Sequence, residues 1–126
     1  MKVLGLGWLG IRVEAFSTMR RFMSDVLGLE VEFESEDFAI LRSAGGDNVE
    51  LFGLHGPQTR EQFSAAPIVA GFLVEDIEAA RKRLVAARIE LLGPLNRAEN
   101  GYAWQHFRGP DGLVYELCYD PRRKSY

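Results

Sequence analysis

The chain has 126 residues, enough for one hydrophobic core and too few for two. Its 47% hydrophobic and 26% charged content is that of a soluble globular protein, and a net charge of −3 argues against a nucleic-acid-binding surface. A single cysteine, Cys118, excludes an intrachain disulfide, and no apolar run reaches the ~18 residues of a membrane span; the expectation is a cytoplasmic protein with no membrane and no nucleic-acid partner.

Val3 to Ile11 is apolar and follows Lys2, but three glycines interrupt it and Arg12 and Glu14 follow at once. It reads as a buried strand, not a secretion leader. Within it, residues 6–13 put Leu9, Ile11 and Val13 on one face and Trp8, Gly10 and Arg12 on the other. Phe16, Met19, Phe22, Met23, Val26 and Leu27 recur at three- and four-residue steps. That predicts an amphipathic helix, with Ser17 as N-cap and Gly28 in the left-handed position past its end. Residues 29–34, 38–42 and 48–54 read as a meander of three strands with turn-sized gaps. Residues 55–66 are polar, contain Pro57 and read as a linker, with His55 an ordinary member of it.

Residues 68–74 are a further strand. Asp76 caps a second helix, with Ile77, Ala80, Leu84 and Ala87 facing inward. Residues 89–92, 102–108 and 113–119 read as strands, the last two joined by a tight turn at Gly109-Pro110-Asp111-Gly112. The basic tail Arg122-Arg123-Lys124 reads as a solvated end.

This order is a repeat. Gly10-Ile11-Arg12-Val13-Glu14 returns 61 residues later as Gly71-Phe72-Leu73-Val74-Glu75, and Asn48-Val49-Glu50-Leu51-Phe52 is echoed by Val114-Tyr115-Glu116-Leu117-Cys118. Each half is strand, helix, strand, strand, strand, and two such units share one core. Each helix must bury its stripe on its own sheet. Leu9, Ile11, Val13, Val49 and Leu51 then face the helix in one half, and Ala70, Phe72, Val74, Tyr115 and Leu117 in the other. Trp8, Arg12, Asn48, Glu50, Phe52 and Leu54 point away, matched by Val69, Gly71, Leu73, Val114, Glu116 and Cys118, and if Phe107 faces the helix then Trp104 and His106 join them. The away-facing sets surround a common cup.

Three segments carry a family resemblance: Gly10-Ile11-Arg12-Val13 leading to Arg21-Phe22-Met23-Ser24-Asp25-Val26-Leu27-Gly28-Leu29, then Phe72-Leu73-Val74-Glu75-Asp76-Ile77, then Phe107-Arg108-Gly109-Pro110-Asp111-Gly112-Leu113-Val114-Tyr115-Glu116-Leu117. In this order the chain resembles the vicinal oxygen chelate superfamily of glyoxalase I, bleomycin resistance proteins, fosfomycin resistance enzymes and extradiol dioxygenases. Ferredoxin-like repeats, the main competitor, have two strands after each helix where this chain has three. The resemblance implies an α+β fold of two βαβββ modules forming an open, cup-shaped mixed sheet with helices on the outer face. One domain would span 1–126: a first module to about residue 55, a linker over about 56–66 and a second module from about 67. It implies a homodimer, with the linker permitting exchange of modules.

Metal-using members of this family draw ligands from the first and fourth strands of each half. Carried over, the fourth-strand acids are Glu50 and Glu116, but the first-strand positions are Trp8 and Val69, which the repeat pairs independently. Neither indole nor isopropyl can ligate a metal. The expectation is no metal and no cofactor. The cup would bind a small aromatic or amphipathic molecule, with Trp8, Phe52 and Trp104 as walls and Arg12, Glu50, His106 and Glu116 orienting it. The alternative is a lyase, isomerase or dioxygenase-like enzyme with an atypical metal or acid–base site, for which Glu116, His106 and Glu50 are the candidate catalytic residues. Whether the protein is an enzyme stays open at this level, since each of these groups also has a plain structural reading as core filler or ion-paired acid. Cys118 reads as small buried core and not as a nucleophile.

Overall fold

The computed structural model describes residues 1–55 and 61–123. Eight strands form one mixed sheet: β1 Val3–Arg12, β2 Glu30–Glu34, β3 Phe38–Arg42, β4 Asn48–Phe52, β5 Ile68–Val74, β6 Glu90–Arg97, β7 Ala103–Arg108 and β8 Val114–Tyr119. Two helices, α1 Phe16–Arg21 and α2 Ile77–Ala86, follow β1 and β5. The spatial order β2-β3-β4-β1-β5-β8-β7-β6 mirrors one half onto the other about the β1·β5 pair. Within each half the first strand runs parallel to the fourth, and β1 meets β5 antiparallel. A single chain therefore builds the whole sheet, as the doubled βαβββ pattern requires.

Strand periodicity sorts the core into two faces. On the helix side, Phe16, Met23, Leu41 and Leu51 pack in the first half, and Ile77, Ala80, Phe107 and Leu117 in the second. On the other face Trp8, Phe52, Val69, Leu73, Val114 and Cys118 make a third cluster. Leu41, Leu51, Leu73 and Leu117 are fully buried, each contributing about 1.5–3 kcal/mol by leaving water. Residues from β2 near one edge and β7 near the other line one cavity, so the sheet is curled into an open cup with this third cluster at its base.

The first helix departs from its expected form. Ala15, not Ser17, is the N-cap, and no side chain caps the end. After Arg21 the chain widens into a π-helical turn, Phe22–Val26, in which the Leu27 N–H donates to the Phe22 carbonyl at 3.1 Å. The extra residue in that turn rotates the end of the helix, so Val26 and Leu27 are 71% and 57% exposed and not part of the buried stripe. Gly28 takes the expected left-handed conformation at φ 78°.

In the second half Asp76 caps α2 as the sequence indicates, its carboxylate accepting from the Ala79 N–H at 3.0 Å. Ala87 is exposed, because the helix ends one residue before it. β6 continues to Arg97, past the expected end at Leu92, through a register shift at Gly93-Pro94. An edge strand tolerates such a bulge and a proline. The turn at 109–112 forms as read: the Gly112 N–H donates to the Gly109 carbonyl, and Asp111 accepts from the Leu113 N–H and the Tyr115 hydroxyl.

Candidate functional site

The floor of the cup is set by a pair of glycines that the repeat brings together. Gly10 on β1 lies beside Glu50 on β4, and Gly71 on β5 beside Glu116 on β8. The Trp8 indole lies over both glycines. A Cβ on Gly10 would run into its six-membered ring, and one on Gly71 would come within 2.9 Å of the Trp8 Cβ. Removing two side chains thus makes room for one large flat one, which is 4% exposed.

Above this floor is a cavity of about 350 Å³. Trp8, Phe38, Phe52, Tyr102 and Trp104 supply its aromatic wall, with Phe38 and Phe52 5.1 Å apart and Tyr102 and Trp104 6.0 Å apart. Its polar lining comes from Glu32, Asn48, Glu50, Gln62, Asn100, Glu116 and Arg122. His106 stands behind this surface: its ring meets Trp8 edge-on at 6.3 Å, and its Nε2 lies 3.1 Å from Glu116 Oε2. That contact is close without the direction of a hydrogen bond, and Nε2 has no hydrogen-bond partner.

Glu116 Oε1, Asn48 Oδ1, Gln62 Nε2 and the Tyr102 hydroxyl are also buried without a partner. Buried polar groups are ordinarily paired, so four open ones around one cavity mark a site that something polar completes. Burial pushes the Glu116 carboxyl up, with His106 and Tyr102 pulling the other way. Burial and the neighbouring Glu116 push Glu50 up to about 7, offset in part by the Trp8 indole N–H. Burial also drives up the Tyr102 hydroxyl and the Cys118 thiol, which keeps the thiol protonated and unreactive.

Of the residues singled out from sequence, Trp8, Glu50, Phe52, Trp104 and Glu116 line the cavity and His106 abuts it. Arg12 does not reach it. It is exposed near the end of β1, beside Glu14, Leu54 and residues 63–67, because Phe63 packs on Phe52 at 5.1 Å and closes that end of the cup. The described part of the expected linker, residues 61–66, is thus not merely polar: Gln62 and Phe63 are buried in the cup. His55 is exposed, its backbone N–H donating to Asp37.

The basic tail is likewise not a solvated end over its described residues. Arg122 lines the cavity, and its guanidinium donates to Asp120 at 3.0 and 3.1 Å while its backbone N–H donates to the same carboxylate. Arg123 is buried against Asp47 at 2.7 Å. Glu32, Phe38, Asn48, Gln62, Asn100, Tyr102 and Arg122 line the cavity without having been singled out as site residues, although parity already turns Asn48 toward the cup. Tyr102 directly precedes β7 and lies two residues before Trp104, so the same period-two reading reaches it; nothing local marks Gln62 or Arg122.

The donor set does not fit a transition-metal centre. Trp8 and the buried Val69 offer no lone pair where first-strand ligands would stand, and among the described residues no three His, Cys, Asp or Glu side chains are grouped to hold an ion.

A family model, described as Glyoxalase/Bleomycin resistance protein/Dioxygenase superfamily, matches residues 5–117. Among solved structures, a superfamily member from Vibrio splendidus 12B01 is similar at 24% identity and TM-score 0.62, over 89% of this chain and 96% of that one. Methylmalonyl-CoA epimerase from Mycobacterium tuberculosis is similar at 19% identity and TM-score 0.73, over 95% and 91%. The Mn(II)-bound glyoxalase from Novosphingobium aromaticivorans is similar at 21% identity and TM-score 0.73, with 94% of this chain covering 40% of that longer one. These likenesses concern the fold. No curated protein matches the chain.

Proposed function

The chain belongs to the Glyoxalase/Bleomycin resistance protein/Dioxygenase superfamily, and from that premise we propose that it binds a small, flat aromatic or amphipathic molecule in its cup without a metal. The observation that carries this reading is Trp8: an indole laid over two glycines at the base of an aromatic-walled cavity, at a first-strand position where metal-using relatives carry a ligand. A ring in that place offers a stacking surface to a planar molecule, and the open polar atoms around it supply orientation.

Elemental analysis of the purified protein is the test. We expect less than about a tenth of an equivalent of any transition metal. About one metal per chain, lost in Glu116→Ala, would overturn the metal-free reading. Tryptophan emission titrated with planar aromatic probes tests binding directly, since Trp8 and Trp104 both face the cavity.

A second reading rests on Glu50. A carboxyl held near 7 beside a cavity suits a general base, so the cup could serve a lyase or isomerase that removes a proton from its substrate. Deuterium exchange into a bound carbon acid in D₂O, lost in Glu50→Gln, would select this reading over simple binding. We also propose a homodimer in the cytoplasm. Phe22, Val26 and Leu27 expose apolar surface beside the first helix, and sedimentation at micromolar concentration reports the mass.

A further inference from the structure

The cup holds a carboxyl group that no basic side chain among the described residues answers. Three carboxylates face it: Glu32, Glu50 and Glu116. Glu32 is held by the Arg42 guanidinium, Nε to Oε1 at 2.5 Å, and that bond keeps its carboxyl below the usual range. Glu116 lies against His106. Glu50 has no basic partner among the described residues; its charged neighbour is another acid, Glu116. Arg122 is the only basic residue among the described ones lining the cavity, and it is committed to Asp120, with Glu32 a further 3.9 Å contact.

Of the five open polar atoms, Gln62 Nε2 is a donor, the Tyr102 hydroxyl and His106 Nε2 can serve either way, and the other two belong to Asn48 and Glu116. Asn48 Oδ1 and Glu116 Oε1 are acceptors without donors, on side chains 5% and 3% exposed. Asn48 sits two residues from Glu50 on the same face of β4. A group that answers Glu50 and Asn48 brings donors and positive charge. A protonated amine has three N–H donors and no acceptor. Aromatic faces attract such a cation through the ring quadrupole, and Trp8, Phe38, Phe52, Tyr102 and Trp104 make the aromatic part of the wall.

We propose that the molecule taken by the cup is an organic cation, a primary ammonium carried on a flat apolar body, with Glu50 as its counter-ion and Asn48 beside it as an acceptor. This rests on the ligand-binding reading above and assigns its chemical class. The Gln62 amide, which is buried with Nε2 open, provides a donor for one polar group elsewhere on the same molecule.

Calorimetric titration with three matched probes separates the ideas: naphthylethylamine, naphthylethanol and naphthylacetate at pH 8, where Glu50 is ionised. The amine is expected to bind about tenfold or more tighter than the alcohol, the step that about 1.4 kcal/mol of interaction gives. The acetate is expected not to bind measurably. In Glu50→Gln the amine should lose its advantage and bind within about twofold of the alcohol, while the alcohol keeps its wild-type affinity. If the alcohol or acetate binds as tightly as the amine, or if Glu50→Gln keeps the amine preference, the cation assignment is wrong and the binding reading stands. If none of the three binds, both fall.

Discussion

A carboxylate facing a cavity walled by indole and phenyl rings is costly to ionise, and Glu50 bears that cost with Glu116 as its neighbour. Its folded value of about 7 stands above the ordinary 4.5, so the folded state holds a proton that the unfolded chain releases between those limits. The stabilisation is complete below about 4.5 and is lost as pH rises through about 7. At about 1.4 kcal/mol per pKa unit, this side chain removes on the order of 3 kcal/mol between pH 4 and 8. Glu50→Gln is expected to raise the urea midpoint above wild type at pH 8 and to lose most of that advantage at pH 5. A gain of equal size at both pH values would mean that Glu50 is not desolvated in the folded protein. Gly10 makes the complementary point about space. Its missing Cβ leaves room for the far end of the Trp8 ring, which can rotate. Gly10→Ala should therefore fold at a cost of about 1–3 kcal/mol, swing the indole off the floor and shift tryptophan emission to the red. An unchanged emission spectrum would show that Trp8 does not rest on that glycine.

The two halves solve the end of their first helix differently, and the difference is testable. Gly28 comes after the π-helical turn at φ 78°, whereas the matching position after α2 is Arg88 at φ 63°. A side chain in that left-handed conformation is strained where glycine is not. The Ile89 N–H to Leu84 carbonyl bond at 2.9 Å, together with Arg88 N–H to Val85, holds it there. Arg88→Gly should stabilise the protein by about 0.5–1 kcal/mol and raise its melting temperature by a few degrees, read by calorimetry; a loss of stability would mean that the arginine side chain contributes more than its backbone costs. Strand faces were legible in the sequence because a period of two is local: Trp104, His106, Glu116 and Cys118 all point where parity sent them. The π-helical turn was not. Phe22, Met23, Val26 and Leu27 fit an α-helical stripe equally well, and one added residue per turn leaves no mark on that spacing until the side chains are seen exposed.

At the scale of the molecule, the doubling of the sequence was enough to read two βαβββ units and a cup, because each unit's apolar faces can be satisfied only against a sheet it shares with the other. What closes the cup was hidden for the opposite reason. Arg122 and Arg123 meet Glu32 and Asp47 across 90 and 76 residues, and a pairing at that separation has no period to betray it. After β8 in the second half, residues 122 and 123 lie against the β2–β4 meander of the first, so these ions add to the β1·β5 pairing and the shared cluster at the base of the cup in joining the halves. If these joints bear on one cooperative structure, weakening the ionic one must lower the stability of the whole and not release one half. Asp47→Ala, Arg123→Ala and the double variant, unfolded in urea, form the cycle. The Arg123 side chain is 8% exposed and that of Asp47 43%, which places the coupling at about 1 kcal/mol, between a surface pair and a buried one. Each variant should keep a single transition with an unchanged slope. A coupling near zero would mean that the β1·β5 pairing and the shared cluster hold the two halves without the ionic contact, and a second transition that the halves unfold separately.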